Sequence, residues 1–233
     1  MNRLGNQGMC GRRRHSGGRT AFHLVLLFVS LAPRLPAEEY SLPPQDTWKK
    51  LYDRAEIIKT EVSREIEADG SRWIDAYADL HTCTDIPLPS LRETILDYES
   101  YPRIFKRNKS MDVIRENGLV YHDMVAGIEV FRVSYTLRFR QLVTVMIDEP
   151  DRLLIDYSYV WGDGRVKDVR GAWYFEKLPG TDQCYVRYIA ASRIMQRFAL
   201  QRFIMSMLID GETREALNQF LSAAKKKNAP EKQ

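Results

Sequence analysis

Side chains able to make or break bonds are scarce in this sequence. His81 and Cys83 stand two residues apart, which is half of a zinc site, but no second pair of cysteines or histidines follows to complete the ligation. His122 and Cys184 stand alone. No Gly-x-Ser-x-Gly elbow, phosphate-cradling loop or dinucleotide fingerprint occurs. Asp97, Glu99 and Asp156 read as surface or capping groups. What is left to catalysis is the polarisation of a carbonyl by Arg138 or Tyr157, in an enzyme that works by holding a substrate chain in a reactive shape. No metal and no cofactor are expected, and binding is favoured over catalysis.

The elements that would position these groups are well punctuated. Segments 57–67 and 73–83 flank Asp69-Gly70, and segments 109–116 and 119–125 flank Asn117-Gly118, both hairpin signatures. Strands at 130–148, 153–161, 169–177 and 183–191 follow, separated by turns at Glu149-Pro150-Asp151, Gly162-Asp163-Gly164 and Pro179-Gly180. Between the hairpins, the run from Pro87 to Phe105 reads as two short helices. Pro89 suits a first turn, Leu91, Ile95, Leu96 and Tyr98 recur at helical spacing, and Pro102 ends the first helix near residues 98–100. Its Tyr98 and Tyr101 read as packing groups, closing one end of the domain.

A short helix carrying Trp48, Leu51, Tyr52 and Ala55 precedes the first strand, and a long one is expected over 195–224. Phe198, Met205, Met207, Leu208, Leu217, Phe220 and Leu221 form the long helix's apolar positions. Phe203, Ile204 and Ile209 widen that surface beyond a simple stripe, and Gly211 marks a bend.

Alternation assigns the faces of the strands. On 130–148, Phe131, Val133, Tyr135, Leu137, Phe139, Val143, Val145 and Ile147 share one parity, opposite Arg132, Ser134, Thr136, Arg138 and Arg140. Leu153, Ile155, Tyr157, Tyr159 and Trp161 face inward on the next strand, then Trp173 with Phe175, then Cys184, Val186 and Tyr188. The sheet therefore has one heavily aromatic face. Most of it is ordinary core, and the remainder would line a cavity.

Charge asymmetry sets the compartment. Residues 1–37 hold six arginines and no acid, followed within that stretch by the apolar run Ala21–Ala32. That run is shorter than a membrane span of about 20 residues, but it suits the core of a secretory signal. Cleavage is expected after Ala37 or after Ala32, with a periplasmic or secreted product. An uncleaved signal anchor, tethering the domain to a membrane, is the alternative. The whole chain has 35 basic and 31 acidic residues, and without the leader 29 basic residues remain, a net charge of about −2. A pI of 8.9 thus resides in the leader and gives no argument for nucleic acid. Arg193, Arg197 and Arg202, or Lys225 to Lys227, could touch anionic lipid transiently. Residues 38–224 form one domain, and 225–233 a basic, flexible tail.

Trp48 with the following strand, the Pro87-to-Pro102 segment, Gly171-Ala-Trp173-Tyr-Phe175 and the long terminal helix together resemble a START-type domain of the Bet v 1-like (SRPBCC) superfamily, which includes polyketide cyclases and coenzyme Q-binding proteins. The resemblance spans residues 45–224. It implies an α+β helix-grip fold, in which a curved antiparallel sheet wraps the C-terminal helix around an apolar tunnel. It also makes the strands of Cys83 and Cys184 antiparallel neighbours, so that a disulfide between them is a candidate, although alternation turns the two side chains to opposite faces. The function implied is carriage of a lipid or other apolar small molecule. Tyr135, Leu137, Phe139, Tyr157, Tyr159, Trp173, Phe175, Tyr188, Phe203 and Met207 are the candidate cavity residues. A cyclase or aromatase acting on a polyketide-like substrate and a protein-interaction module are the alternatives.

Overall fold

At the tip of the second hairpin, Asn117 and Gly118 adopt φ of 52° and 76°, the doubly positive geometry that matches strand twist and that Asn-Gly tolerates best. Pairing therefore begins directly at Glu116 and Leu119. In this computed structural model, residues 40–54, 56–106, 108–130 and 133–228 are described, without the side chains of 52–57 and 128–135. The expected signal segment and the extreme C-terminus lie outside the described residues.

The first helix, α1 (Gln45–Arg54), precedes the strand pair β1 (Glu56–Ile66) and β2 (Arg72–Thr84). Two short helices follow, α2 (Leu88–Leu96) and, after a single 3-10 turn at Tyr98–Ser100, α3 (Tyr101–Ile104). Then come β3 (Asn108–Glu116), β4 (Leu119–Val130), β5 (Val133–Asp148), β6 (Arg152–Gly162), β7 (Val166–Lys177), β8 (Cys184–Met195) and α4 (Gln201–Asn228). The eight strands form one antiparallel sheet in the order β1-β2-β8-β7-β6-β5-β4-β3. This is the expected helix-grip architecture.

The inner face of the sheet holds two apolar clusters. One, under α2 and α3, packs Leu80, Leu91, Ile95, Tyr101, Trp173 and Phe175 against Leu217 and Phe220 of α4. The other, toward the opposite end, joins Ile74, Leu137, Phe139, Val166 and Ile194, with Met205 of α4 against them. The outer face has a layer of its own, where Tyr40 and Leu51 cover Leu154, Tyr174, Tyr185 and Ile189. Beside it, Asp79 holds Arg187 through two hydrogen bonds of 2.9 and 2.8 Å.

Four expectations need correction. Met195 ends β8, paired with Trp73, rather than starting the helix. Buried Gln201 fixes that junction, accepting from Arg197 N at 2.6 Å and donating to Met195 O at 3.3 Å. Bulges also shift the alternation of the long strands. Gln141 pairs with Tyr159 but Arg140 with Trp161, so Trp161 turns outward and lies exposed beside Arg140. A second irregularity, between Val145 and Ile147, sends Ile147 to the outer layer and leaves Val145 exposed. Finally, α4 continues through Lys225, Lys226 and Lys227, where cations favour a helix C-terminus, and Lys227 pairs with Asp97 at 2.9 Å.

Candidate ligand-binding site

Between α4 and the inner face of the sheet lies a cavity of about 420 Å³. At its inner end stand Tyr101 and Phe105 from the α3 region, His122 and Met124 of β4, Gln141 of β5, Tyr157 of β6, Trp173 of β7 and Tyr188 of β8. Toward the start of α4 it is lined by Phe198, Ile204, Met205 and Leu208. Phe198 and Glu215, both on the lining, are exposed, so the cavity reaches the surface on the α4 side.

The wall residues contributed by the sheet are placed by strand parity. Met124 faces Phe139 and His122 faces Gln141 across β4 and β5, and all four line the cavity. Trp173 and Tyr188 are register partners of β7 and β8, with rings stacked at 4.2 Å and 17°. Phe220 closes on Trp173 from α4 at 4.7 Å. Offset and tilted aromatic pairs of this kind each add about 0.5–1.5 kcal/mol beyond their burial.

A polar knot interrupts the apolar lining. Tyr101 Oη donates to Ile95 O at 2.6 Å, so the proton in the 2.7 Å contact between Tyr101 and Tyr157 comes from Tyr157. The His122 ring lies 5.0, 5.5 and 5.9 Å from the rings of Tyr98, Tyr101 and Tyr157. Burial pushes the ionisation of Tyr101 and Tyr157 well above the ordinary phenol range and that of Tyr188 up to about 12. Burial also holds the His122 imidazole down to about 4. At neutral pH this end of the cavity carries no charge.

Of the ten candidate residues, Phe139, Tyr157, Trp173 and Tyr188 line the cavity. Leu137 and Phe175 are packed into the flanking clusters, and Tyr159 spends its hydroxyl on Val166 O at 2.9 Å. Phe203 and Met207 lie on the far side of α4, 59% and 52% exposed; Ile204, Met205 and Leu208 take the inward positions. The side chain of Tyr135 is outside the described set. Reading from sequence missed His122, Tyr101 and Gln141. For His122 the available signal was its two-residue spacing from Met124, which puts both on one face of β4.

Arg138, the other proposed carbonyl-polarising group, is exposed. The proposed disulfide is not formed: Cys83 and Cys184 are free thiols. Cys184 pairs with Thr84 and sits in the inner cluster, whereas Cys83 pairs with Tyr185 and sits in the outer layer, so the sheet itself separates the sulfurs. Burial raises both thiols to about 11, which leaves them unreactive at neutral pH. No cluster of metal-ligating side chains occurs among the described residues.

A curved antiparallel sheet gripping a long helix around an apolar cavity defines a helix-grip protein of the START type. Residues 86–221, more than half of the chain, match the family described as polyketide cyclase / dehydrase and lipid transport, and the chain belongs to that family. Solved structures show the same fold at low identity. Human StAR-related lipid transfer protein 5 superposes with a TM-score of 0.55 at 9% identity, covering 79% of this chain and 97% of its own. The Zhui aromatase/cyclase from Streptomyces sp. R1128 gives 0.51 at 14% identity, covering 67% and 97%. A STAR-related lipid transfer protein fragment from Xanthomonas axonopodis gives 0.50 at 10%, covering 70% and 98%. No curated protein matches this sequence.

Proposed function

We propose that this protein is an exported carrier that sequesters a lipid or similar apolar molecule between α4 and the sheet. The observation that carries this reading is the cavity of about 420 Å³ with its predominantly apolar wall, a volume typical of small-molecule sites. Burial at roughly 25 cal/mol per Å² drives binding, less the costs of association. Family membership and the lipid-transfer relatives support it, and the arginine-rich leader with its short apolar run supports export.

Loading from a membrane fits the far face of α4. Phe203 and Met207 are exposed there and Leu200 in the segment just before it, with Arg197 and Arg202 exposed among them and in no ion pair among the described residues. Apolar side chains ringed by cations suit an anionic lipid surface. No helix among the described residues is long and apolar enough to cross a membrane.

Organic extraction of the purified protein followed by mass spectrometry tests the reading. A reproducible apolar ligand is expected, and a protein that is empty and binds no apolar probe counts against it. A cyclase-like activity is the second reading, favoured by the hydroxyls and imidazole at the inner end. It is tested by incubation with a linear poly-β-ketone mimic and a search for a dehydrated aromatic product.

A further inference from the structure

Resting on the carrier reading above, we propose that the inner end of the cavity recognises one uncharged hydrogen-bonding group, a hydroxyl or a carbonyl, on an otherwise apolar ligand, and that His122 is the residue that reads it.

The first observation is an unmet hydrogen-bonding demand. His122 is 1% exposed, and its Nε2 has no hydrogen-bond partner among the described residues. Leaving a buried polar atom unsatisfied costs about 1–3 kcal/mol, so an unpartnered imidazole nitrogen on a residue of the cavity wall calls for a partner that a bound molecule can supply. Phenylalanine would fill the same apolar corner without that cost.

The second observation is where the ring stands. His122 is on the concave face of β4, opposite Gln141, among the residues that line the cavity. The neighbouring hydroxyls do not serve it. Tyr101 spends its proton on Ile95 O and Tyr157 spends its own on Tyr101, which leaves Tyr157 Oη with accepting capacity only. A neutral imidazole supplies one donor and one acceptor. A ligand hydroxyl can use both kinds of partner here, and a carbonyl can use the imidazole donor.

The third observation is the absence of charge at this end. The charged side chains of the lining, Arg170, Glu212 and Glu215, stand on β7 and α4, and none of them is among the charges that act on the His122 imidazole. Arg170 is engaged by Asp168 at 2.5 Å. Arg115 and Glu99, the charged groups felt most at the imidazole, lie at the surface and pair with each other at 2.8 Å. A carboxylate or ammonium group placed here would lose its hydration without a free counter-charge. The site therefore selects for alcohols, phenols and ketones over acids and amines.

Three probes of similar shape separate the possibilities: naphthalene, 2-naphthol and 2-naphthoate, measured by fluorescence titration on the wild type and on His122→Phe. The expected result is that the naphthol-to-naphthalene affinity ratio falls about tenfold in the variant, the loss of roughly one net hydrogen bond, while naphthalene binds within about twofold of the wild type. Naphthoate should be the weakest of the three on the wild type. A second measurement, on the wild type alone, guards against a variant that fails to fold: the His122 ring nitrogen resonances should move with 2-naphthol and not with naphthalene. An unchanged affinity ratio in a folded variant overturns the inference, as do ring resonances that respond identically to both probes. Failure of the wild type to bind naphthalene overturns the carrier reading itself; naphthalene binding with an unchanged ratio overturns only the role of His122.

Discussion

The hydroxyl of Tyr157, on β6, donates to that of Tyr101, on α3, at 2.7 Å, and Tyr101 in turn donates to Ile95 O at 2.6 Å. This relay ties the short-helix insertion to the sheet at the inner end of the cavity. Its two members are not equivalent. Tyr157→Phe removes one donor and leaves the Tyr101 to Ile95 bond in place, whereas Tyr101→Phe leaves both Ile95 O and the Tyr157 hydroxyl without a partner. Chemical denaturation should show a loss of about 1 kcal/mol for the first and about 2–3 kcal/mol for the second. Equal losses would mean that the proton order is different.

The insertion was legible because Pro89, Pro102 and the apolar spacing between them act locally. The Asp69-Gly70 and Asn117-Gly118 hairpins were legible for the same reason. Side-chain facing was less so, because it integrates along a strand: one unpaired residue at Val160 is enough to reverse Trp161. On β4, Val120, Tyr121, His122, Met124 and Val125 place apolar or amphipathic groups at both parities, so alternation alone could not single out His122. On α4 the apolar surface is nearly continuous around the N-terminal half. Only packing against the sheet separates Met205, which faces inward, from Phe203 and Met207, which do not.

His122 makes stability depend on pH in a defined window. Its folded pKa of about 4 lies below the ordinary 6.5, so the unfolded chain binds the proton more tightly. The contribution of the buried neutral ring is complete above about pH 6.5 and is lost as pH falls toward 4, by an amount on the order of 3 kcal/mol. Urea titrations at successive pH values should show this slope in the wild type and a much flatter one in His122→Phe.

Asp79 acts at lower pH. Burial raises its carboxyl, but hydrogen bonds from His81 and Arg187 outweigh that and hold it far below the ordinary 3.8. A depressed folded pKa contributes stability that is present above about pH 4 and is lost as pH falls below it. Asp79→Asn should cost about 3 kcal/mol at pH 7 by leaving a half-buried guanidinium without its charge partner, and should weaken the acid-induced loss below pH 4. Together with His122→Phe, this separates the two windows in one set of titrations.

Ala216 of α4 faces the cavity, and Trp173 is both wall and core. Ala216→Phe occupies space that is already open, so it should change stability by no more than about 1 kcal/mol while cutting apolar-probe affinity at least tenfold, as read by fluorescence titration. Trp173→Ala should do the opposite to stability. It removes the stack on Tyr188 and the contact with Phe220, at a cost of about 3–5 kcal/mol. A binding loss in Ala216→Phe without unfolding would locate the ligand beside α4.

The outward face of α4, with the segment just before it, makes a prediction that is independent of the interior. Leu200, Phe203 and Met207 touch little of the protein, so Leu200→Ser and Phe203→Ser should leave the melting curve within about 0.5 kcal/mol of the wild type. In flotation assays with vesicles of phosphatidylcholine and phosphatidylserine, the same substitutions should reduce bound protein. Arg197→Gln with Arg202→Gln should lower that binding by roughly thirtyfold, about 1 kcal/mol per cation near an anionic surface. The arginine effect should fade at high salt and vanish on pure phosphatidylcholine, whereas the serine effects should persist on both. Binding that ignores all four positions would place membrane contact on another face and remove the loading route from the proposed function, while leaving the cavity as it is.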